Sequence, residues 1–219
     1  MHPLQNELIS KLSSADQDLI VKNSRLIEIK AGDVLLSPLP EQPLIYFITS
    51  GAVALFVSFQ AAQTETGLAV GLVGREGALG LQAALGFGVE NLKLIVQSSG
   101  FSYVMEAQRL KQLMKRHPDW LMVFSKYLWT IYQDIARLAA LSHVHDIKRR
   151  LADWLVMSDN RCDHEALVMT HEHIAHMLGV RRSSITLAAR EMKLLGLIEY
   201  SRGNIKLLNK PALETLAAL

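Results

Sequence analysis

The side chains best suited to chemistry in this sequence share one face of a predicted helix near the carboxy terminus. At 100° per residue, a helix over 181–195 separates polar side chains from apolar ones. The polar face carries Arg182, Ser183, Thr186, Arg190 and Lys193. The opposite face carries Ile185, Ala188, Ala189, Met192 and Leu195. Because cations bind DNA phosphates and short polar side chains reach base edges in the major groove, this pattern predicts a DNA recognition helix.

The residues in front of this helix predict the rest of a helix-turn-helix within 170–200. Ala175 is small enough to let two helices approach closely, and Gly179 follows four residues later, where a sharp turn with positive φ is expected. Ile185 then supplies the branched apolar residue that packs the second helix on the first. Thr170 is predicted to cap the amino terminus of the first helix.

Further elements are predicted on both sides of the helix-turn-helix. A helix is expected over 146–158, and another in the tail 211–219. Strands at 197–200 and 205–208 predict a hairpin. Such a wing would bring Arg202 close to the DNA backbone.

Composition bounds the class of protein. Of the 219 residues, 50% are hydrophobic and 20% are charged, which is typical of a globular protein of one or two domains. No apolar run is long enough to span a bilayer, and the amino terminus lacks the pattern of a signal peptide. The single Cys162 excludes an internal disulfide and an iron–sulfur cluster. These features favour the cytoplasm and no membrane partner. From residue 146 onward Lys and Arg outnumber Asp and Glu by 11 to 9, so the net charge of +2 lies in the carboxy-terminal third.

Short runs rich in Val, Ile, Phe and Tyr fill the first half of the chain and predict β-strands. They occupy 27–36, 44–59, 67–80 and 91–107. Turn signals at Gly32-Asp33 and Ser50-Gly51 separate the runs, and a short helix before them is expected to start at Ser14. Many short strands at this spacing predict an antiparallel β-barrel or roll over 26–107. Its apolar wall, predicted to be core, includes Phe47, Phe56, Phe59 and Leu72.

The pattern becomes helical after the strands, with a short helix over 109–116 and a long one beginning near Asp119. Apolar residues of the long helix recur at alternating spacings of three and four. They are Leu121, Phe124, Leu128, Ile131, Ile135 and Leu138, followed by Ser142. This seam fits a coiled-coil dimer axis and, equally, an amphipathic helix packed on the roll. The helix-turn-helix favours the dimer, because such modules usually bind two half-sites about one turn of DNA apart.

Over essentially its whole length the sequence resembles the cyclic-AMP receptor protein/fumarate-nitrate regulator (Crp/Fnr) superfamily of bacterial transcription factors. The resemblance is carried by KAGD and SGAV in the roll, by the long helix, and by THEHIAHMLGVRRSSITLAAREMKLLGLIEYSRGNI. It implies an α+β fold with a cyclic-nucleotide-binding-like sensor β-roll at 1–118, a dimerisation helix and hinge at 119–145, and a winged helix-turn-helix DNA-binding domain at 146–219. It also implies a homodimer on a pseudo-palindromic site in double-stranded promoter DNA, with RNA polymerase as a further partner.

By this resemblance, Arg182, Ser183 and Leu187 occupy the positions of the recognition helix that usually contact bases in the family. Arg182 suits guanine, because its guanidinium pairs with O6 and N7. Ser183 replaces the family's common acidic reader of cytosine and Leu187 replaces a frequent arginine, so a different preferred DNA sequence is expected. The predicted DNA-binding residues are Thr170, His171, Arg181, Arg182, Ser183, Ser184, Thr186, Leu187, Arg190 and Arg202.

The roll departs from the family's cyclic-nucleotide binders, which surround the ring phosphate with a Gly-Glu-Leu segment and an Arg-Ser or Arg-Thr pair. The candidate effector pocket here is Gly74, Arg75, Glu76 and Gly77. The position of the phosphate arginine falls in 89–93, where the carboxylate of Glu90 would repel a phosphate. Cyclic-nucleotide gating is therefore disfavoured. It stays as one alternative, beside a non-DNA sensor or regulatory subunit that retains the roll.

Neither a metal site nor an enzyme active site is predicted. His171, His173 and His176 lie close in sequence, but no Cys or clustered carboxylate completes a tetrahedral set. His143 and His145 could ligate haem or sense pH at the hinge, and a surface role fits them better. The chain has no GxSxG elbow and no Walker loop. No cofactor and no catalytic residue are predicted.

Overall fold

The amino-terminal half of the chain forms one antiparallel sheet. The structure, a computed structural model, describes residues 6–35, 42–61, 64–87, 92–162, 167–201 and 203–218. The strands are β1 (Arg25–Ile29), β2 (Leu44–Ala61), β3 (Thr64–Val73), β4 (Ala78–Leu79) and β5 (Leu92–Glu106). The sheet order is β1-β5-β2-β3, with β4 paired to the start of β2. Each of these pairings is antiparallel, which confirms the predicted β-roll of an α+β fold.

The turn expected at Ser50-Gly51 is wrong, because β2 continues through both residues. The pairing of β2 with β5 shifts its register here, and Gly51 has a φ of 79°, so the glycine forms a bulge inside a long strand. A side chain at Gly51 would meet the carbonyl oxygen of Ser98 at 2.5 Å. Turns and bulges both favour glycine because both can require a positive φ, so the sequence alone did not distinguish them.

Short helices close one end of the roll. They are a 3-10 turn (Ile9–Lys11), α1 (Ser14–Lys22), α2 (Leu81–Ala84) and α3 (Ala107–Arg116). Leu8, Ile20 and Leu110 share one buried cluster with Phe47 of β2. The start expected at Ser14 is corrected by one residue, since Ser13 is the cap and accepts the Asp16 N–H at 3.2 Å.

The long helix α4 (Trp120–Val144) lies on the roll, and the seam predicted as a dimer axis faces the roll. Phe124 is 2% exposed and lies beside Phe47 in the core. Leu128, Ile131 and Leu138 pack against buried residues of the same chain, as the packed-helix alternative requires. Of the predicted dimer residues, Phe124 is buried by its own chain, Leu128, Ile131, Ile135 and Leu138 are partly buried, and Leu121 is 46% exposed. Phe124 is corrected, because a side chain buried in its own core cannot meet a second chain, and the other five residues stay predictions.

Apart from the strand Leu167–Val168, which was not predicted, the carboxy-terminal elements follow the predicted order. They are α5 (Ile147–Asp159), β6 (Leu167–Val168), α6 (His171–Leu178), α7 (Arg182–Leu194), β7 (Ile198–Ser201), β8 (Asn204–Leu207) and α8 (Lys210–Ala218). Asp146 caps α5 by accepting the Arg149 N–H at 2.9 Å. The three strands form a small antiparallel sheet of order β6-β8-β7. This arrangement is a winged helix-turn-helix.

The helix-turn-helix packs directly on β2 and β3 of the roll. Phe56 and Leu72 of the roll share one buried cluster with Trp154 of α5 and Met177 of α6. The rings of Phe56 and His176 stack with centroids 4.6 Å apart. Separating the two parts would expose this apolar surface to water, so the shared core holds them together.

Two polar contacts between described residues strengthen the same boundary. Arg161, two residues beyond α5, donates through Nε to Glu76 Oε1 of the roll at 2.6 Å. Gln97 of β5 donates through Nε2 to the hydroxyl of Ser158 at 2.8 Å, and both side chains are buried. These bonds fix the orientation of α5 on the sheet, since an apolar contact alone has little directionality.

Replacing Arg161 with alanine is expected to lower the free energy of unfolding by about 1.5–3 kcal/mol, the usual range for a hydrogen bond to a charged group. The Glu76 carboxylate would lose its guanidinium partner. Urea denaturation measures the change. Lys30→Ala is the control, because the Lys30–Glu28 pair is 3.9 Å apart, with both side chains more than half exposed, and should matter little. Equal stability of Arg161→Ala and the wild type would contradict the expectation.

Candidate nucleic-acid interface

The polar face of α7 is exposed to solvent. Its exposed side chains are Arg181, Arg182, Ser183, Thr186, Leu187 and Arg190, with Ser184 partly buried. The opposite face, formed by Ile185, Ala188, Ala189 and Met192, is buried. Leu195, predicted for the buried face, is 65% exposed because it lies beyond the last turn of α7. Apart from Leu195, the predicted amphipathic helix is confirmed.

Both ends of α6 have the predicted caps. The Thr170 hydroxyl accepts the His173 N–H at 3.1 Å, and Gly179 ends α6 in the left-handed region with a φ of 63°. Both features were expected from the sequence. Arg181 begins α7 without a side-chain capping bond. The positive end of the α7 dipole therefore suits a DNA phosphate.

His171 joins the wing to the recognition helix. Its ring stacks on Tyr200 of β7 with centroids 4.1 Å apart, and its Nδ1 lies 3.1 Å from Thr186 Oγ1. Because the Thr186 hydroxyl donates to the Arg182 carbonyl oxygen, it accepts from the Nδ1–H of His171. Burial, and then the charge of Arg182, lower the pKa of His171. The neutral imidazole therefore positions Thr186. The sequence did not indicate the contact with Tyr200, 29 residues away.

The three neighbouring histidines contact different groups. His171 lies on Tyr200 and His176 on Phe56. His173 Nε2 is buried, with no hydrogen-bond partner among the described residues, and burial followed by the charge of His176 lowers the pKa of His173. Within the described ranges no three His, Cys, Asp or Glu side chains are grouped to hold a metal ion.

Acidification is expected to destabilise the protein through His173. Its pKa falls on folding, so below the ordinary value of 6.5 the unfolded chain binds more protons than the folded one. His173 makes its full contribution to the free energy of unfolding above pH 6.5. That contribution falls as the pH drops toward the folded pKa, by at most about 1.4 kcal/mol per pH unit. Urea denaturation at about pH 7.5 and about pH 5.5 measures the loss across the histidine range. His173→Gln should reduce this loss of stability, and the exposed His143→Gln should leave it unchanged. Equal losses in the wild type and in His173→Gln would contradict this account.

Arg182 has only a weak partner in its own chain. Its Nε lies 3.7 Å from Glu172 Oε2, with the two side chains 69% and 73% exposed. An ion pair this open to solvent contributes little, so the guanidinium can leave Glu172 for DNA at small cost. Glu172 was not among the predicted site residues. Its position in the first turn of α6 was the available signal.

The wing has the predicted form. Residues Ile198–Ser201 pair with Asn204–Leu207 in an antiparallel hairpin, within one residue of the predicted strands. Lys193 of α7 donates to the Tyr200 carbonyl oxygen at 3.5 Å, which connects the hairpin to the recognition helix. Arg202 lies outside the described residues.

The chain's own groups occupy the start of the candidate effector segment. The Glu76 carboxylate accepts the Gly74 N–H at 3.1 Å as well as the Nε–H of Arg161. The carboxylate thus takes the backbone donor and the cation that an anionic ligand would need. Glu90, predicted to repel a phosphate, lies outside the described residues.

The rest of this segment is closely covered. A side chain at Gly77 would collide with the Tyr127 hydroxyl, which donates to the Ala78 carbonyl oxygen at 2.9 Å. Arg75 pairs with Glu7, their Nε and Oε1 atoms 3.3 Å apart. The structure therefore places Gly74, Glu76 and Gly77 against groups of the same chain.

Comparison with known proteins agrees with this architecture. Residues 149–216 match the family described as the Crp-like helix-turn-helix domain. Among solved structures, the fold is similar to that of a transcriptional regulator of the Crp/Fnr family from Eubacterium rectale, with a TM-score of 0.72 at 21% identity, over 97% of this chain and 98% of that one. It is also similar to FixK2 from Bradyrhizobium japonicum, with a TM-score of 0.73 at 13% identity over 90% and 98% of the two chains.

A third similar structure is described as a c-di-GMP-responsive global regulator, CLP from Xanthomonas campestris. Its TM-score is 0.69 at 15% identity, over 89% of this chain and 99% of that one. Among curated proteins no sequence match was found. Within the described residues, no helix combines the length and apolar character needed to cross a bilayer.

Proposed function

Given that residues 149–216 form a Crp-like helix-turn-helix domain on a chain with the Crp/Fnr fold, we propose that this protein is a homodimeric, sequence-specific DNA-binding transcription regulator. One observation carries the proposal. The polar face of α7 is exposed while its apolar face is buried, as a major-groove helix requires. DNA binding is the function that the domain family supports. The proposals about the dimer and the base contacts rest on this chain's own side chains.

Arg182 is the proposed base reader. Its exposed guanidinium can donate two parallel N–H groups to guanine O6 and N7. Thr186 lies one turn further along the same face, and Leu187, which is 60% exposed, can contact a thymine methyl group. Arg190 is suited to a phosphate, a contact that positions the helix without selecting sequence.

A second seam on α4 is the proposed dimer interface. Its members are Met122, Ser125, Trp129, Tyr132 and Ala136, spaced by three and four residues as in a coiled coil. Met122, Trp129 and Tyr132 are 62%, 59% and 61% exposed. The Trp129 and Tyr132 rings stack with centroids 5.3 Å apart. Large side chains exposed together in this way favour a protein partner over water.

A second copy of this chain is the proposed occupant of the seam. The helix α4 is apolar toward the roll and along the exposed seam, whereas Lys126, Thr130 and Gln133 lie exposed beside that seam. Pairing α4 with its own copy about a two-fold axis gives each dimer two recognition helices. Two recognition helices match a pseudo-palindromic site whose halves are about one turn of DNA apart.

Gating by a cyclic nucleotide is not part of the proposal. Glu76 already binds Gly74 and Arg161, and Glu90 puts a carboxylate where the resemblance expects a phosphate-binding arginine. Calorimetry with cyclic AMP and cyclic GMP tests this point, and no binding is expected. Tight binding of either one would favour the alternative, a nucleotide-gated regulator.

The proposed domain boundaries and their roles follow the resemblance to the Crp/Fnr superfamily. Residues 1–118 form the sensor, 119–145 the dimerisation helix and hinge, and 146–219 the DNA-binding domain. A regulator of this kind acts on bacterial promoters in the cytoplasm, with RNA polymerase as a further partner.

The test of the proposed function is a genome-wide footprint with the purified protein. Genomic fragments from its source bacterium are incubated with the full chain, and the retained fragments are sequenced. Enrichment of discrete sites upstream of genes is expected. Uniform retention without preferred sites would overturn the proposal.

A further inference from the structure

A cavity of about 260 Å³ lies where the roll, the end of α4 and the start of α5 meet. Its apolar wall includes Leu68 and Val70 of β3, Leu138 and Leu141 of α4, and Leu178 of α6. This volume is close to the lower end of the range for small-molecule sites, which are mostly apolar with a few placed polar groups. The cavity is separate from the candidate effector segment 74–77.

Three nitrogen-bearing side chains of the wall differ in their access to the cavity. Trp154 is 2% exposed, and its Nε1–H has no acceptor among the described residues. His145 Nδ1 is likewise buried, with no partner in the described part of the chain. Arg150 donates through Nη2 to the Leu178 carbonyl oxygen, which engages one of its five N–H groups. Trp154 Nε1 and His145 Nδ1 are closed off from the cavity, so the remaining N–H groups of the partly buried Arg150 are the donors open to a ligand that accepts hydrogen bonds.

The charge in the wall favours an anion. Asp153 also lines the cavity, but its carboxylate pairs with Arg137, with Nη1 and Oδ1 3.1 Å apart. The positive charge of Arg150, which is partly buried, has no carboxylate partner in the described part of the chain. A carboxylate is planar and can accept two N–H bonds from one guanidinium.

We propose that this cavity binds a small apolar monocarboxylate, with the carboxylate against Arg150 and the hydrocarbon body against the leucine and valine side chains of the wall. One negative charge matches the charge of Arg150. An apolar body of about 8–12 carbon-sized atoms suits a volume of this order, because its burial drives binding. A dianionic phosphate would bring a second charge into a mostly apolar site.

The position of the cavity gives such a ligand a regulatory effect. Its walls come from the roll, from the helix before the hinge and from the helix-turn-helix, so a bound molecule stabilises the arrangement in which these parts are packed together. The ligand is thus expected to change the affinity for DNA. This regulatory step rests on the proposed function, whereas binding to the cavity does not.

The binding test is calorimetry on the full chain without DNA. The probes are octanoate, 4-phenylbutanoate and 1-naphthoate, and 4-phenylbutanamide is the neutral match. Saturable binding of at least one acid is expected, with the amide at least ten-fold weaker than 4-phenylbutanoate. Absence of saturable binding by all three acids, or equal binding of the acid and the amide, would overturn the proposal.

Three variants locate the binding. Ser142→Phe places a ring in the cavity wall and should abolish binding, whereas Thr130→Phe, on an exposed part of α4, should not change it. Arg150→Gln should weaken acid binding at least ten-fold and leave amide binding unchanged, a charge-selective loss that general loosening of the fold would not give. Undiminished acid binding in Ser142→Phe would overturn the assignment to this cavity.

A separate titration of labelled DNA tests the regulatory step. Saturating acid should shift the apparent Kd of the wild type at least three-fold and leave that of Ser142→Phe unchanged. An unchanged Kd in the wild type would overturn the regulatory step while the calorimetric result stands. Loss of DNA binding with and without acid would instead overturn the proposed function.

Discussion

Replacing Trp129 with glutamate is expected to convert the protein from a dimer into monomers. Trp129 is exposed at the centre of the second seam of α4 and stacks on Tyr132. In a dimer a carboxylate there would be buried against the copy of itself, and two unpaired buried charges are strongly unfavourable. Light scattering at micromolar concentration should give 24.4 kDa for the variant and twice that mass for the wild type.

The dimer prediction extends to DNA. A monomer binds only one half-site, so Trp129→Glu should also lower the affinity for a full site by roughly 100-fold or more, because the linkage between the two halves is lost. Thr130→Glu is the matched control, since Thr130 is the next residue and is exposed on α4 outside the seam. A monomeric wild type would contradict the dimer, and a dimeric Trp129→Glu would contradict the seam.

Replacing Arg182 with alanine is expected to weaken specific DNA binding by about 1–3 kcal/mol for each half-site and to relax the preference for one base. The guanidinium is exposed on the recognition face and gives up only a weak contact with Glu172. Arg182→Lys should restore part of the affinity and little of the base preference, because lysine retains the charge without the planar pair of donors. A footprint titration on wild-type and single-base-changed sites measures both effects.

The matched control for Arg182 is Arg116→Ala. Arg116 is an exposed arginine at the end of α3 in the roll, so the variant loses the same charge away from the recognition face. It should bind DNA like the wild type, apart from a small non-specific effect that salt suppresses. If Arg182→Ala also bound like the wild type, the interpretation of α7 would be wrong.

Local signals in the sequence were sufficient to predict the helix-turn-helix. Thr170 and Gly179 act within one helical turn of their own positions, so their residue types carry the structural information directly. The wing strands and the amphipathic face of α7 are similarly local patterns of period two and 3.6. The exposed recognition face could therefore be predicted from a single sequence.

Contacts between distant segments could not be predicted in this way. Phe56 stacks on His176, and Glu76 pairs with Arg161, although no periodicity connects these positions. For α4, the seam that includes Phe124 and the seam that includes Trp129 are adjacent and have the same spacing. Only the packing of Phe124 in the core shows which of the two faces the roll.

The most direct test of the central claim is selection of binding sites from random double-stranded DNA by the purified wild-type protein. The expected result is an inverted repeat whose half-site centres are about 10 base pairs, or a multiple of one helical turn, apart. A guanine in each half should lose its enrichment when the selection is repeated with Arg182→Ala. Enrichment of no motif, or of a single motif without two-fold symmetry, would contradict a dimeric regulator that reads DNA through α7.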